Sequence, residues 1–117
     1  MAAITSANVV VTRSWEEGNR AGQLIQTTKQ LIITLSAQGG TAGDIPASAL
    51  GFEEVYEAYA YGLNVSGTMK GAVVGIALDG SEIFPVDMNQ ATDANRTLRA
   101  NVTGDLWVTV KGRGSRT

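Results

Sequence analysis

Three stretches of this chain alternate apolar and polar residues with a period of two, and that alternation limits the fold more than any other feature. In "QLIQTTKQLIITLSA" (23–37), Leu31, Ile33 and Leu35 fall on one face, and Gln30, Thr34 and Ser36 on the other beside Ile32. In "GAVVGIALDGSEIFPVDM" (71–88), Ala72, Val74, Ile76 and Leu78 share a face. In "NVTGDLWVTVKG" (101–112), Leu106, Val108 and Val110 oppose Trp107, Thr109 and Lys111, with either set free to face inward. A period of two belongs to a half-buried strand. Fourteen glycines and two prolines punctuate β-branched runs such as "ANVVVTRSW" (7–15), which ends at the polar turn "EEGNRAG".

These runs predict about six short strands in an all-β, antiparallel β-sandwich of jelly-roll-like type. Ile33, Leu35, Val74, Ile76, Val108 and Val110 are expected to face one core. Segments 7–15 and 23–37 should pair as an antiparallel hairpin. Asp79-Gly80 reads as the centre of a type I′ turn joining the strands on either side. Pro85 cannot donate a ladder hydrogen bond, so its strand should be an edge or carry a bulge. Residues 89–100, polar and without periodicity, read as a long loop. In "GDIPASALG" (43–51), Asp44 or Ser48 suits a cap, Pro46 a first helical position and Gly51 a left-handed stop. One short helical turn near residues 44–50 follows, with Ile45 and Leu50 beneath it. Residues 52–61 admit two readings, because Phe52, Val55, Tyr56 and Tyr59 also sit at i, i+3, i+4 and i+7, a helical spacing.

A chain of 117 residues forms one domain on size alone and buries roughly 65% of its unfolded surface. Short arms are expected at residues 1–7 and 112–117. The chain has no cysteine and no histidine, which removes disulfides, thiolate metal sites, Cys nucleophiles and any Ser-His-Asp triad. A net charge of −2 offers nothing to nucleic acid. No apolar run approaches the ~20 residues that span a bilayer, and the first residues lack a signal-peptide pattern. The reading is a protein made in a cytoplasm, without nucleic-acid or membrane partners.

The remaining candidates for chemistry each have a simpler reading. Glu53, Glu54 and Glu57 are the densest carboxylates, yet they fit a solvated face better than acid–base work. Asp79 and Glu82 could approach a cation, but turn chemistry already explains them. Gly39, Gly40 and Gly43 lack any phosphate-loop pattern. Lys29, Lys70 and Lys111 show no SxxK spacing. Three Asn-X-Ser/Thr sequons, beginning at Asn64, Asn95 and Asn101, read as ordinary polar positions. Trp15 and Trp107 read as core or interface residues, and exposed aromatics would instead favour a sugar platform. No enzyme activity, metal or cofactor is expected. The basic tail "KGRGSRT" offers Lys111, Arg113 and Arg116 as contacts to an acidic partner surface.

The run "VTRSWEEGNRAGQLIQTTKQLIITLSAQGGTAGDIPASALGFEEVYE", followed by "DMNQATDANRT" and "NVTGDLWVTVKG", resembles small proteins of tailed bacteriophages, taken as head decoration (cement) or minor virion structural proteins. The resemblance spans roughly residues 9–112, and "GDIPASALGF" is its most specific part. It favours a strand at 52–61 and carries no active site. What it implies is a decoration protein on the outer capsid surface that bridges capsomers, binds the major capsid protein and forms a homo-oligomer, a trimer or a dimer. A head–tail connector or tail component, or a virion-surface carbohydrate-binding module, is the alternative.

Overall fold

The computed structural model describes residues 4–17, 26–38, 45–86 and 102–114. Among the described residues eight strands follow in chain order: β1 (Val9–Glu17), β2 (Gln26–Gln38), β3 (Ile45–Pro46), β4 (Phe52–Val65), β5 (Thr68–Lys70), β6 (Val73–Ile76), β7 (Glu82–Val86) and β8 (Val102–Gly114). They form a five-stranded sheet in the order β1-β2-β8-β4-β5 and a three-stranded sheet in the order β3-β7-β6. Every pairing is antiparallel, as the alternating runs required.

The core lies between the two sheets. The larger sheet contributes Leu31, Ile33 and Leu35 from β2, Leu106, Val108 and Val110 from β8, and Phe52 and Val55 from β4. Opposite them lie Ile45 and Ile83 of the smaller sheet, with Val74 and Ile76 packed at the margin. Leu106, Val108 and Val110 therefore face inward, and Trp107 and Lys111 point out. Segments 7–15 and 23–37 do pair, as β1 with β2.

Residues 52–61 are strand, and the reason for their helix-like spacing is visible in the pairing of β4 with β8. The register shifts between Phe52 and Glu54, between Val55 and Glu57, and between Ala60 and Gly62. Each bulge adds one residue and restores the inward face three residues later instead of two. Phe52, Val55, Ala58, Ala60 and Leu63 thus all pack on the core, although only one pair of neighbours among them is spaced by two.

The segment before β4 forms the expected turn, with different roles for its residues. A 3₁₀ turn covers Ala47–Leu50, and Gly51 closes it in the left-handed region at φ 80°. Pro46 is the residue before the turn, in extended conformation, and no side chain caps it; Ser48 lies within it. Asp44 is outside the described residues. Ile45 and Leu50 are buried beneath the turn. Lys29 reaches across from β2, donating from Nζ to the carbonyl oxygens of Leu50 at 3.0 Å and Gly51 at 3.3 Å, with its charge 4.9 Å from the centre of the Phe52 ring. These carbonyls end the turn and have no helical donor, so the ammonium satisfies them. Partial burial lowers the Lys29 pKa from its ordinary value.

Four local expectations are corrected. The turn between β6 and β7 is not type I′: Gly80 N–H donates to the Ala77 carbonyl at 2.9 Å, so Leu78 and Asp79 occupy the centre, and only Gly80, at φ 73°, is left-handed. Leu78 consequently stands fully exposed at the tip, away from the face of Val74 and Ile76. The type I′ geometry occurs instead at Ser66-Gly67, with φ of 52° and 88°, between the paired Val65 and Thr68. Asn64 Oδ1 accepts from Gly67 N–H at 2.9 Å and braces that turn. Strand β7 is central rather than an edge, but β3 pairs only with Ile83 and Glu82, so Pro85 faces a paired strand on the β6 side alone. Residues 4–7 and 112–114 belong to the fold rather than to terminal arms. Ile4 is buried in the core, Thr5 caps a 3₁₀ turn over Ser6–Asn8, and Gly112, Arg113 and Gly114 pair with Val55, Glu54 and Phe52. The expected loop at 89–100 and the glycines at 39, 40 and 43 lie outside the described residues.

Candidate interaction surface

The face of the larger sheet turned away from the core has its own layer of side chains. Its rows follow from the register. Val10, Ile32, Trp107 and Gly62 lie side by side on β1, β2, β8 and β4. The next row is Arg13, Gln30, Thr109 and Tyr59, and the one after it Trp15, Thr28, Lys111 and Glu57. Met69 of β5 fills the space left by the missing side chain of Gly62, where an added Cβ would sit 2.8 Å from its Cγ.

Two tyrosine rings stand on this face with their hydroxyls engaged. Tyr61, within the last bulge of β4, shares a 2.5 Å hydrogen bond with Thr109 Oγ1 and accepts from Gln30 Nε2 at 3.0 Å. Tyr59 donates its hydroxyl to Glu57 Oε1. That hydrogen bond, with the carboxylate's charge, raises the Tyr59 pKa above its ordinary 10.0. Tyr59 and Tyr61 remain 52% and 56% exposed. Beneath this layer Thr28 is fully buried although it belongs to the outer face. Its hydroxyl and the Trp107 indole N–H have no hydrogen-bond partner among the described residues. Trp15 is partly exposed and Trp107 half-buried, both on this outer face and neither in the core.

The basic residues singled out in the tail behave differently from one another. Arg113 is engaged within the sheet: Nε donates to Glu53 Oε2 at 3.0 Å, and Nη2 lies 3.6 Å from Glu54 Oε1. Its charge is therefore met by its own chain, and an acidic partner would have to compete for it. Lys111 lies between Thr28 and Glu57 on the outer face. Arg116 lies outside the described residues. The carboxylates Glu53, Glu54 and Glu57 form no common site, since the first two hold Arg113 and the third holds Tyr59.

Asp79 Oδ1 accepts from the Ser81 backbone N–H at 3.0 Å. Hydrogen bonds from the Ser81 hydroxyl and amide lower the Asp79 pKa, as expected of a turn-bracing carboxylate. Among the described residues no three His, Cys, Asp or Glu side chains converge as metal ligands, and no helix is long and apolar enough to cross a membrane.

The sequence reading missed Gln30, Tyr59 and Tyr61 as members of one surface. Only Ile32, an apolar residue on an otherwise polar face of β2, hinted that the outer side of the sheet was not simply solvated. No protein-family model, curated protein or solved structure matches this chain.

Proposed function

We propose that this protein is a decoration (cement) protein of a tailed-bacteriophage head, a virion structural component that binds the outer surface of the major capsid protein and bridges neighbouring capsomers as a homo-oligomer. The observation that carries the reading is the outer face of the larger sheet. Val10, Ile32, Trp107, Tyr59, Tyr61 and Met69 form a broad aromatic and apolar surface on one face of a sheet. Large amphipathic rings on a rigid sheet suit a contact repeated many times, since they bury much area for little lost side-chain entropy. The motifs around "GDIPASALGF" support the same class.

The test is occupancy on capsids lacking the native protein. The double variant Tyr59→Ala/Tyr61→Ala should bind with sharply lower occupancy while keeping a β-type circular dichroism spectrum. Unchanged occupancy with an intact fold would remove this face from the binding role. Removing residues 115–117 alone examines the tail, because residues 112–114 belong to β8. Copy number in purified particles separates a cement protein, present in hundreds of copies, from a connector.

The exposed pair Tyr59 and Tyr61, flanked by Gln30 and Thr109, gives the carbohydrate-binding alternative a specific footing. Aromatic platforms beside amide and hydroxyl groups also suit a sugar ring. Retardation of the protein on polysaccharide-containing native gels, abolished by the same double variant, would favour that reading.

A further inference from the structure

We infer that the outer face of the larger sheet binds an extended acidic segment of a protein partner, whose carboxylates at alternate positions meet Arg13 of β1 and Lys111 of β8. The inference rests on the reading of this face as the contact with a protein shell, and it names the chemistry on the other side. Among the described residues on or beside this face, the carboxylates are engaged and two cations are not. Glu53 and Glu54 hold Arg113, Glu57 accepts from Tyr59, and Asp105 Oδ1 accepts from Thr34 Oγ1 at 3.3 Å. Arg13 and Lys111 take part in no hydrogen bond or ion pair there. Lys111 lies directly across the ladder from Glu57, whose carboxylate turns to Tyr59 instead. The unmet charge of this face is therefore positive, although the whole chain carries −2. Interfaces pair such a patch with the opposite sign.

The two cations flank β2. Arg13 lies opposite Gln30 on one side of that strand, and Lys111 lies opposite Thr28 on the other. Gln30 and Thr28 are alternate residues on one face, so ordinary strand spacings offset the cations by about 7 Å along β2 and set their Cα atoms roughly 12 Å apart. Both side chains are long enough to bring their charges over β2. The offset along the strand equals the distance between alternate side chains of any extended chain. A segment lying along β2 with acidic residues at i and i+2 thus presents one carboxylate to each cation. Arg13, exposed on β1, can take its carboxylate through two parallel N–H donors, and Lys111 supplies a point charge. Tyr61, held by Gln30 and Thr109, stands beside this track and offers its exposed ring to the rest of the segment. Two cations on a chain of net charge −2 are too few to hold a nucleic-acid backbone, which favours a partner with a few spaced carboxylates.

The experiment uses the purified full chain and fluorescein-labelled probes: a peptide alternating glutamate and threonine, the same peptide with glutamine for glutamate, and oligogalacturonate, a sugar chain with the same carboxylate. Fluorescence anisotropy at low salt should show the glutamate peptide binding at least tenfold more tightly than the other two. Arg13→Ala and Lys111→Ala should each weaken it about fivefold, and Arg13→Glu/Lys111→Glu should abolish it. Lys70→Ala, which removes an exposed cation of β5 outside this site, should leave it unchanged. Circular dichroism checks the fold of each variant, and Arg13→Glu alone carries the test if the double variant misfolds. Absence of peptide binding overturns the inference, as does binding that ignores both cations or that the glutamine peptide matches. Oligogalacturonate binding as tightly as the glutamate peptide also overturns it and transfers the site to the sugar reading. Occupancy on capsids separates this inference from the reading beneath it. If Arg13→Glu/Lys111→Glu keeps full occupancy while Tyr59→Ala/Tyr61→Ala loses it, the shell contact stands and the acidic segment is discarded.

Discussion

Strands β8 and β4 lie side by side in one sheet, share ladder partners over nearly their whole length, and differ in how their sequences encode that role. Strand β8 runs against β2 without a register shift from Gly112 to Gly104, and its inward residues fall at every second position. Strand β4 shifts register against β8 at three places, so its inward residues come mostly at every third position. The same burial can thus be written with two periods. A strict alternation specifies a strand by itself, whereas a bulged strand carries a spacing that also fits a helix and needs its neighbour to settle the matter.

The largest effect that tests the contrast is expected where the regular strands meet the core. Ile33→Ala in β2, fully buried beside β8, should cost about 2–5 kcal/mol in equilibrium denaturation. Tyr59→Ala in β4, which a helical spacing would have buried with Phe52 and Val55, should change stability much less. Comparable losses from the two would break the assignment of faces in β4.

Next comes the close approach of the two strands at the bulges. A Cβ added to Gly112 would lie 2.1 Å from the Glu54 carbonyl oxygen, a backbone atom that cannot swing aside. Gly112→Ala should therefore destabilise by about 1–3 kcal/mol, read as a lower denaturation midpoint. An unaffected midpoint would mean that the strands separate there more than described.

Smaller effects probe what the bulges place on the outer face. Tyr61→Phe removes the hydroxyl held by Thr109 and Gln30 and should cost about 1 kcal/mol. Arg113→Ala breaks an exposed ion pair with Glu53 and Glu54 and should cost at most about 1 kcal/mol, less in high salt. A loss insensitive to salt would show that Arg113 acts through packing.

The smallest effect is a titration. The folded state raises the Tyr59 pKa above 10.0, so it holds the phenolic proton at a pH where the unfolded chain has begun to release it. The associated stabilisation is fully present below pH 10 and is lost as pH rises through the folded-state value. Ultraviolet absorbance at high pH should show a late-titrating component from Tyr59 that returns toward 10 in Glu57→Gln. No difference between the two proteins would exclude the Glu57 contact.

Much of the inner face was legible before any coordinates. Leu31, Ile33 and Leu35 in β2 and Leu106, Val108 and Val110 in β8 follow from period two alone, because an unbulged strand turns every side chain by the same half-turn. Gly51 was legible as a left-handed stop because glycine carries no steric penalty there. The type I′ turn was assigned to Asp79-Gly80 and found at Ser66-Gly67. Asp-Gly is the better sequence match, but loop length and strand register select the turn type, and both depend on which residues pair. The outer surface was the least legible part. Tyr59 joins an apolar stripe only under the helical reading of residues 52–61, and no spacing marks Tyr61, because the placement of both depends on the bulges that precede and surround them.

What the sequence determined by itself, then, is the antiparallel β class, the inner face of its regular strands, and the absence of histidine and cysteine chemistry, since each depends only on residue identity and near-neighbour spacing. Tertiary pairing decided the rest: the unequal sheets, the three bulges of β4, the capture of Arg113 by Glu53 and Glu54, and the convergence of Gln30, Tyr61 and Thr109 from three strands. The physical reason is one of range. Side-chain alternation is a local property of the backbone, whereas a bulge or a cross-strand contact exists only relative to a partner strand distant in the chain.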